Sequence, residues 1–154
     1  WLAQLLRRTA KFDDYAENNI CVLSAAVSNE NSVASFLIAE RGRASNALSQ
    51  AGGRSQMGGV RETLYVPTLT LDRLLERFQV PNFVKIDIEG AELMALESAV
   101  NLINDVRPKF YIEVGENVSS QIYTIFKAAN YSCIDPVTHK ALTHCVENTL
   151  FIPH

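Results

Sequence analysis

The chain has 154 residues, of which 47% are hydrophobic and 20% charged, and its formal net charge is −3. This length suits one domain, and the composition excludes a disordered chain. The slightly acidic balance argues against nucleic acid as a partner. No apolar run approaches the ~18 residues of a membrane span, so we expect no membrane association either.

The cysteines Cys21, Cys133 and Cys145 are odd in number and form no C-x-x-C pair. This pattern predicts reduced thiols and a cytoplasmic protein. Cys133 and Cys145 lie near His139 and His144 in the sequence, and four such groups would suit zinc. Their spacing matches no zinc motif, however, so we favour buried structural cysteines and predict no metal site.

The first third of the chain alternates a helix with short strands. Leucines at helical spacing predict a helix over residues 2–11, and the apolar run 20–27 predicts a buried strand. Imperfect alternation over 32–38 indicates a shorter strand. Residues 40–59 are rich in glycine and polar residues, which predicts a long flexible loop. Such a loop is either a mobile insertion or a cover over a site, and we favour the insertion.

An extended segment and a helix follow this loop. Residues 60–66 have the pattern of a strand that ends at Pro67. Thr70 then has the character of a helix N-cap, and Asp72 stands in the first turn, where a carboxylate is favourable. The helix presents an apolar stripe formed by Leu71, Leu74, Leu75 and Phe78.

The second half of the chain predicts a parallel sheet. A strand over 83–88, a helix over 91–104 and a strand over 109–114 have the lengths of a βαβ unit, so the two strands should be parallel neighbours. The sheet is then doubly wound. After one more helix, which ends near Asn130, strands over 131–134 and 149–152 are expected to pair antiparallel.

The strand over 83–88 also carries ionisable residues in an unusual pattern. Lys85, Asp87 and Glu89 alternate with apolar residues and therefore share one face. One explanation is a solvated edge strand with a charged outer face. The other is a functional site, because ligands of doubly wound sheets bind beyond the carboxyl ends of the strands, where both Asp87 and Glu113 fall. Lys85 would then be an internal counter-ion.

Several motifs support the second explanation. The chain resembles FkbM-type S-adenosylmethionine-dependent methyltransferases, both in these motifs and upstream, where residues 22–28 resemble the family's third strand and residues 37–66 its variable inserted region. The motifs that carry the resemblance are Thr70-Leu71-Asp72, Val84-Lys85-Ile86-Asp87-Ile88-Glu89-Gly90-Ala91-Glu92, Arg107-Pro108 and Tyr111-Ile112-Glu113-Val114.

The resemblance implies an α/β fold with a Rossmann-like, doubly wound class I methyltransferase sheet and an antiparallel C-terminal strand pair. We expect residues 1–154 to be a single-domain piece that lacks the first strands and their glycine-rich cofactor loop, and therefore to bind S-adenosylmethionine weakly or not at all and to be inactive alone. On the family pattern, Ser24, Ala25 and Ala26 lie at the adenine end of the third strand. Asp87 lies near the methyl group that is transferred.

The resemblance also implies an O-methyltransferase that acts on a hydroxyl of a small molecule or sugar. Asp87 is the first candidate for accepting the hydroxyl proton or orienting the acceptor. Glu113 would bind a second hydroxyl or share a metal, with Lys85 as the counter-ion of both. Glu89 and Glu92 have a simpler explanation, because carboxylates at a helix N-terminus stabilise the helix.

Two other function classes compete with this one. The first is a non-catalytic α/β interaction module that retained the sheet and lost the cofactor-binding half. The second is a metal-dependent sugar-nucleotide transferase with Asp87 and Glu89 on a metal-bound diphosphate. We disfavour the transferase, because the apolar helix around Leu71 offers no nucleotide pocket. The sequence predicts neither the acceptor nor the oligomeric state.

Overall fold

A computed structural model describes residues 2–10, 20–41, 46–51 and 58–154 of the chain. The described residues have a mixed α/β fold with two sheets and several helices. The strands and α-helices are α1 (Leu2–Ala10), β1 (Ala26–Val27), β2 (Ser32–Ala39), β3 (Ala47–Leu48), β4 (Val60–Leu69), α2 (Leu71–Leu75), β5 (Phe83–Ile86), α3 (Glu92–Glu97), β6 (Lys109–Glu113), α4 (Ser119–Ala128), β7 (Tyr131–Ile134) and β8 (Asn148–Pro153).

The C-terminal half forms a sheet with the strand order β5-β6-β8-β7, which we call the core sheet. β5 and β6 are parallel, with Val84 opposite Phe110 and Ile86 opposite Ile112. β8 pairs antiparallel with both β6 and β7. The parallel βαβ unit and the antiparallel C-terminal pair are therefore confirmed. β5 ends at Ile86, two residues earlier than predicted.

Aromatic side chains fill the centre of the core sheet. Phe110 and Phe126 meet edge-on with ring centroids 5.0 Å apart, and Phe126 stacks on Phe151 at 3.9 Å. Tyr131 lies 5.2 Å from Phe126 and donates a hydrogen bond from its hydroxyl to the carbonyl of Ile103. Aromatic contacts of this kind add about 0.5–1.5 kcal/mol each beyond the area that they bury.

The N-terminal half forms a separate sheet, which we call the hairpin sheet, with the order β1-β4-β2-β3. β2 and β4 form a long antiparallel pair, β3 joins β2, and β1 runs parallel to β4. The described residues therefore form two four-stranded sheets rather than the single doubly wound sheet that the sequence predicts. β2 and β4 pair along most of their length, so their backbone N–H and C=O groups form hydrogen bonds mainly with each other.

The strand predicted over 20–27 is shorter in the structure. Only Ala26 and Val27 are regular, because β4 offers them partners at Thr68 and Leu69 alone. Ile20, at the start of the predicted strand, is exposed. An apolar run therefore becomes a strand only where a neighbouring strand satisfies its backbone groups.

The segment predicted as a long loop contains a strand. Ala47 and Leu48 are buried and pair with Leu37 and Phe36 as β3, and a short 3-10 helix follows up to Ala51. Residues 42–45 and 52–57 of the predicted loop lie outside the described residues.

Pro67 does not end the strand before it, since β4 continues to Leu69. Pro67 lies opposite Val33 in β2, and β1 begins to pair with β4 only at the next residue. A proline is tolerated at such an edge position, because its missing N–H is not required by a second neighbour. Thr70 caps α2 as predicted, its hydroxyl accepting a hydrogen bond from the backbone N–H of Arg73 at 3.1 Å.

The helix predicted over 91–104 is interrupted. α3 ends at Glu97, and the hydroxyl of Ser98 donates hydrogen bonds to the carbonyls of Ser28 and Ala95. A π-helical segment then covers Leu102–Val106. The carboxylate of Asp72 accepts hydrogen bonds from the backbone N–H groups of Asn101 and Leu102, both at 2.9 Å. Asp72 therefore caps the second segment, which allows the helix to restart.

Candidate functional site

The candidate site lies where β5 and β6 end. Ile86 pairs with Ile112, and the same parallel register brings Asp87 and Glu113 to the next position on each strand. Side chains alternate along a strand, so Lys85 and Asp87 share a face with Tyr111 and Glu113. The structure therefore brings together all three predicted catalytic residues, Lys85, Asp87 and Glu113. Tyr111 joins them, and the sequence analysis missed it although its pairing with Lys85 follows from the predicted parallel strands.

Lys85 is the electrostatic centre of this group. Its Nζ donates a hydrogen bond to Oδ2 of Asp87 at 2.7 Å. This hydrogen bond is the main reason why the pKa of Lys85 is raised above its usual value; the charges of Asp87, Glu113 and Tyr111 act in the same direction against partial desolvation. The ammonium is therefore held in its charged form between the two strand ends.

The group faces solvent, which corrects the prediction that Lys85 is an internal counter-ion. The side chains of Lys85 and Asp87 are 58% and 37% exposed. Phe83, two residues earlier on the same face, is also exposed. Within the described ranges β5 pairs with β6 alone and is the edge of its sheet. Lys85 therefore lies on the charged outer face of an edge strand, which is the first of the two explanations given for this segment.

A tight turn follows Asp87. Glu89 and Gly90 both have positive φ, at 57° and 103°, which bends the chain directly into α3. Glu92 is fully buried, and its Oε1 accepts hydrogen bonds from the backbone N–H groups of Gly90 at 3.0 Å and Ile88 at 3.3 Å. Glu92 thus holds the turn from inside, a more specific role than the helix-end stabilisation expected from its position.

The hairpin sheet touches this turn. A Cβ atom added to Gly90 would lie 3.3 Å from the carbonyl oxygen of Ala51, at the end of the 3-10 helix that follows β3. This separation is shorter than an ordinary van der Waals contact, and the positive φ of Gly90 disfavours a side chain in addition. Only glycine therefore allows both the turn and the close approach of Ala51.

The residues predicted to lie near the adenine of the cofactor are found in β1 of the hairpin sheet and just before it. Ser24 precedes β1, and its hydroxyl oxygen accepts a hydrogen bond from the guanidinium of Arg7 at 2.9 Å. Ala25 and Ala26 are half-buried, and Ala26 opens β1. β1 approaches the core sheet just after its end, where the carbonyl of Ser28 accepts the hydrogen bond from Ser98 beyond α3. Their role in cofactor binding remains a prediction.

Two cavities are evident in the structure, and neither is lined by Asp87 or Glu113. One, of about 280 Å³, is apolar and lies between the segment before β1 and α2, with Leu23, Leu71 and Val84 among its lining residues. The other, of about 370 Å³, is polar and is lined in part by Asp72 and Asn101. The functional site predicted at Asp87 and Glu113 therefore lies in neither of these cavities.

In the described part of the chain, no three His, Cys, Asp or Glu side chains come together in a way that could hold a metal ion. Of the zinc-type ligands considered from the sequence, Cys133 and Cys145 are adjacent and buried. None of the described helices has the length and apolar character needed to traverse a bilayer.

Comparison with known proteins assigns the chain to a family. The family described as the methyltransferase FkbM domain matches residues 9–133, which is most of the chain and includes Lys85, Asp87 and Glu113. No curated protein and no solved structure matches. Because this match covers most of its length, the chain belongs to the FkbM methyltransferase family.

Proposed function

We propose that this protein is an S-adenosylmethionine-dependent O-methyltransferase that acts on a hydroxyl of a small molecule or sugar. The observation that carries the proposal is the family match over residues 9–133 together with the grouping of Lys85, Asp87 and Glu113 inside it. Methyl transfer to a hydroxyl needs a group that takes the proton and groups that hold the acceptor in line. Carboxylates at two neighbouring strand ends suit both tasks.

The charges of this group fit the cofactor that the family implies. S-adenosylmethionine carries a positive sulfonium and, when bound, supplies a methyl group that an oxygen nucleophile can attack. Asp87 and Glu113 present negative charge beside the ends of β5 and β6, which favours a cation nearby. Asp87, with Ser24, Ala25 and Ala26 from the hairpin sheet, would hold the cofactor.

Each side chain of the group has a distinct task in this proposal. Asp87 accepts the proton of the acceptor hydroxyl, or orients that hydroxyl, from a position that solvent and substrate can reach. Lys85 stabilises the negative charge on Asp87 through their 2.7 Å hydrogen bond. Glu113 binds a second hydroxyl of the acceptor, as expected for a sugar or another polyol. Lys85 and Glu113 therefore act on the acceptor side of the reaction, and Asp87 stands between the acceptor and the cofactor.

Glu92 is a positioning residue for the same site. Its hydrogen bonds to the backbone of Ile88 and Gly90 fix the turn that begins one residue after Asp87. A displacement of about 1 Å at a catalytic group can cost on the order of 100-fold in rate. The buried carboxylate thus serves catalysis through the backbone that carries Asp87.

Transfer of label from methyl-labelled S-adenosylmethionine to a panel of sugars and small hydroxyl compounds tests the proposal. In the complete enzyme we expect the wild type to label at least one acceptor, and Asp87→Asn to lower the rate roughly 100-fold or more. Glu113→Gln should mainly weaken acceptor binding. Asp105→Asn, which removes an exposed carboxylate from the π-helical segment, is the matched control and should keep full activity. An Asp87→Asn protein with wild-type rates would exclude Asp87 as the base.

The exposure of Lys85 and Phe83 favours one alternative, a non-catalytic interaction module that uses this face of β5. Titration calorimetry of the complete protein with S-adenosylmethionine separates the two functions, because an interaction module need not bind the cofactor at all. Cofactor binding that Asp87→Asn weakens would support the enzyme. The absence of binding, together with unlabelled acceptors, would support the module.

A further inference from the structure

Two cysteines lie in contact at the edge of the core sheet farthest from the candidate site. Cys133 belongs to β7, and Cys145 lies in the segment that leads into β8. Both are buried, with 6% of each residue exposed, and the sulfur of Cys133 reaches the carbonyl of His144, the residue before Cys145. The third cysteine, Cys21, is exposed and lies near the hairpin sheet. The proposed methyl transfer uses none of the three.

The backbone holds this pair of thiols in place from both sides. The carbonyl of Cys133 accepts a hydrogen bond from the N–H of Leu142 at 2.8 Å, and the sulfur of Cys133 lies 3.8 Å from the carbonyl oxygen of His144. On the other side, the hydroxyl of Ser119 donates to the carbonyl of Cys145 at 3.1 Å. The fold therefore fixes both backbones and places the Cys133 sulfur next to the chain at Cys145.

The contact between the thiols makes them chemically unequal. The neighbouring Cys145 lowers the pKa of the Cys133 thiol although burial acts in the opposite direction. The same contact is the main cause of a raised pKa at Cys145, and burial adds to it. Cys133 is therefore the better nucleophile of the two, since the thiolate is the reactive form.

We propose that Cys133 and Cys145 form a reversible disulfide when the protein meets a peroxide. The sulfur of Cys133 attacks one oxygen of hydrogen peroxide, the O–O bond breaks, and a sulfenic acid and one water are produced. The sulfur of Cys145 then attacks the Cys133 sulfur, the S–O bond breaks, and a second water leaves with the proton of the Cys145 thiol. Two thiols are oxidised and one peroxide is reduced. A dithiol reductant reverses the reaction.

The bond would tie β7 to the segment before β8 and so close the outer edge of the core sheet. A cross-link of this kind stabilises chiefly by restricting the unfolded chain. Because the edge lies on the far side of β6 and β8 from Asp87, the disulfide should act on stability and leave the strand ends in place. This separates the inference from the proposed function, so either can fail without the other.

The test uses a Cys21→Ser variant, which removes the exposed thiol and leaves the buried pair. After treatment with hydrogen peroxide we expect the intact mass to fall by two hydrogens and the free thiols of the pair to disappear. Proteolysis after Lys127 and Lys140 places the two cysteines on separate peptides, so a non-reduced digest should contain them cross-linked. The melting temperature should rise by roughly 5 °C and return after reduction.

Single variants test the order of the two steps. In Cys145→Ser made in the Cys21→Ser background, a hydroxyl stays beside Cys133, and Cys133 should accumulate as a sulfenic acid that a dimedone probe traps. In Cys133→Ser on the same background, the remaining Cys145 should not react. The Cys21→Ser measurement stands even if a core variant fails to fold. Unreacted thiols in that protein, cross-links only between separate molecules, or oxidation that stops at a sulfinic acid on one cysteine would each overturn the proposal.

Discussion

The two sheets of this protein differ in what holds them together. The core sheet has one face packed around Phe110, Phe126 and Phe151, all of which are fully buried or nearly so. In the hairpin sheet most of β4 is exposed, and Tyr65 and Val33 lie in solvent on one face. The core sheet is thus stabilised by buried apolar contacts, whereas the hairpin sheet depends mainly on its backbone ladder.

The difference shows how stability and the candidate site are distributed. Asp87 and Glu113 stand on the densely packed sheet, where a rigid framework can hold a catalytic group to within a fraction of an ångström. The hairpin sheet contributes residues around the site from a less buried framework. Such regions open at lower free energy than a densely packed core.

The largest effect should come from Phe126→Ala in the core sheet. Phe126 contacts three other aromatic rings, and its loss should lower the free energy of unfolding by about 3–5 kcal/mol. Tyr65→Ala in the hairpin sheet is the matched control and should change it by less than about 0.5 kcal/mol. Urea denaturation of both variants measures the contrast, and equal losses would contradict the comparison.

Leu48→Ala tests whether the hairpin sheet opens by itself. Leu48 is the largest of the buried residues in β3, and its truncation should cost about 2–5 kcal/mol. Hydrogen exchange should accelerate in β2 and β4 but not in β6 and β8. Leu64→Ala, at a partly exposed position of β4, controls for the loss of a leucine and should cost about 1 kcal/mol or less. Acceleration in both sheets would mean that the molecule unfolds as one unit.

Thr70→Ala probes the junction between the two sheets, since Thr70 joins β4 to α2. The variant loses the hydroxyl that caps α2, which should cost about 1 kcal/mol. Thr70→Ser keeps that hydroxyl and should retain most of the stability. Thermal denaturation compares the three proteins, and equal losses in both variants would show that the methyl group, not the cap, matters.

The smallest effect should appear at Asp135, in the turn after β7. Its carboxylate accepts hydrogen bonds from the N–H of Val137 and from the hydroxyl and N–H of Thr138, and these lower its pKa below the usual 3.8. A group with a lowered pKa contributes stability at neutral pH that is lost as the pH falls through that pKa. Asp135→Asn should therefore flatten the stability profile below about pH 4.

The control for this experiment is Asp105→Asn, which removes another surface carboxylate. The difference between the two variants, measured by urea denaturation at several pH values, isolates the contribution of the hydrogen-bonded turn. If both variants follow the same profile, the turn makes no specific contribution.

Sequence patterns predicted the core sheet well because its residues follow the periodicities of buried elements. The parallel strands, the helix that ends at Ala128, close to the predicted stop at Asn130, and the antiparallel pair all occur where apolar spacing places them. The hairpin sheet was harder to predict. Two residues, Ala47 and Leu48, are too short a run to stand out within a polar segment, and only their pairing with β2 makes them a strand.

Other misses have a tertiary origin. The apolar pattern over 91–104 continues through Ser98, and nothing local announces that the carboxylate of Asp72 will cap a new helical start. The exposure of Lys85 likewise depends on which elements cover its face of the sheet. Its juxtaposition with Asp87 and Glu113, by contrast, follows from strand alternation and parallel register, both of which are readable in sequence.

The contact between Gly90 and Ala51 has a mechanical consequence. A Cβ atom at Gly90, three residues after Asp87, would lie 3.3 Å from the carbonyl oxygen of Ala51, so a side chain there would make one of the two segments shift. The segment after β3 and the turn after Asp87 are therefore close neighbours. A substitution such as Gly90→Ala would press on both of them, and so on the chain that carries Asp87.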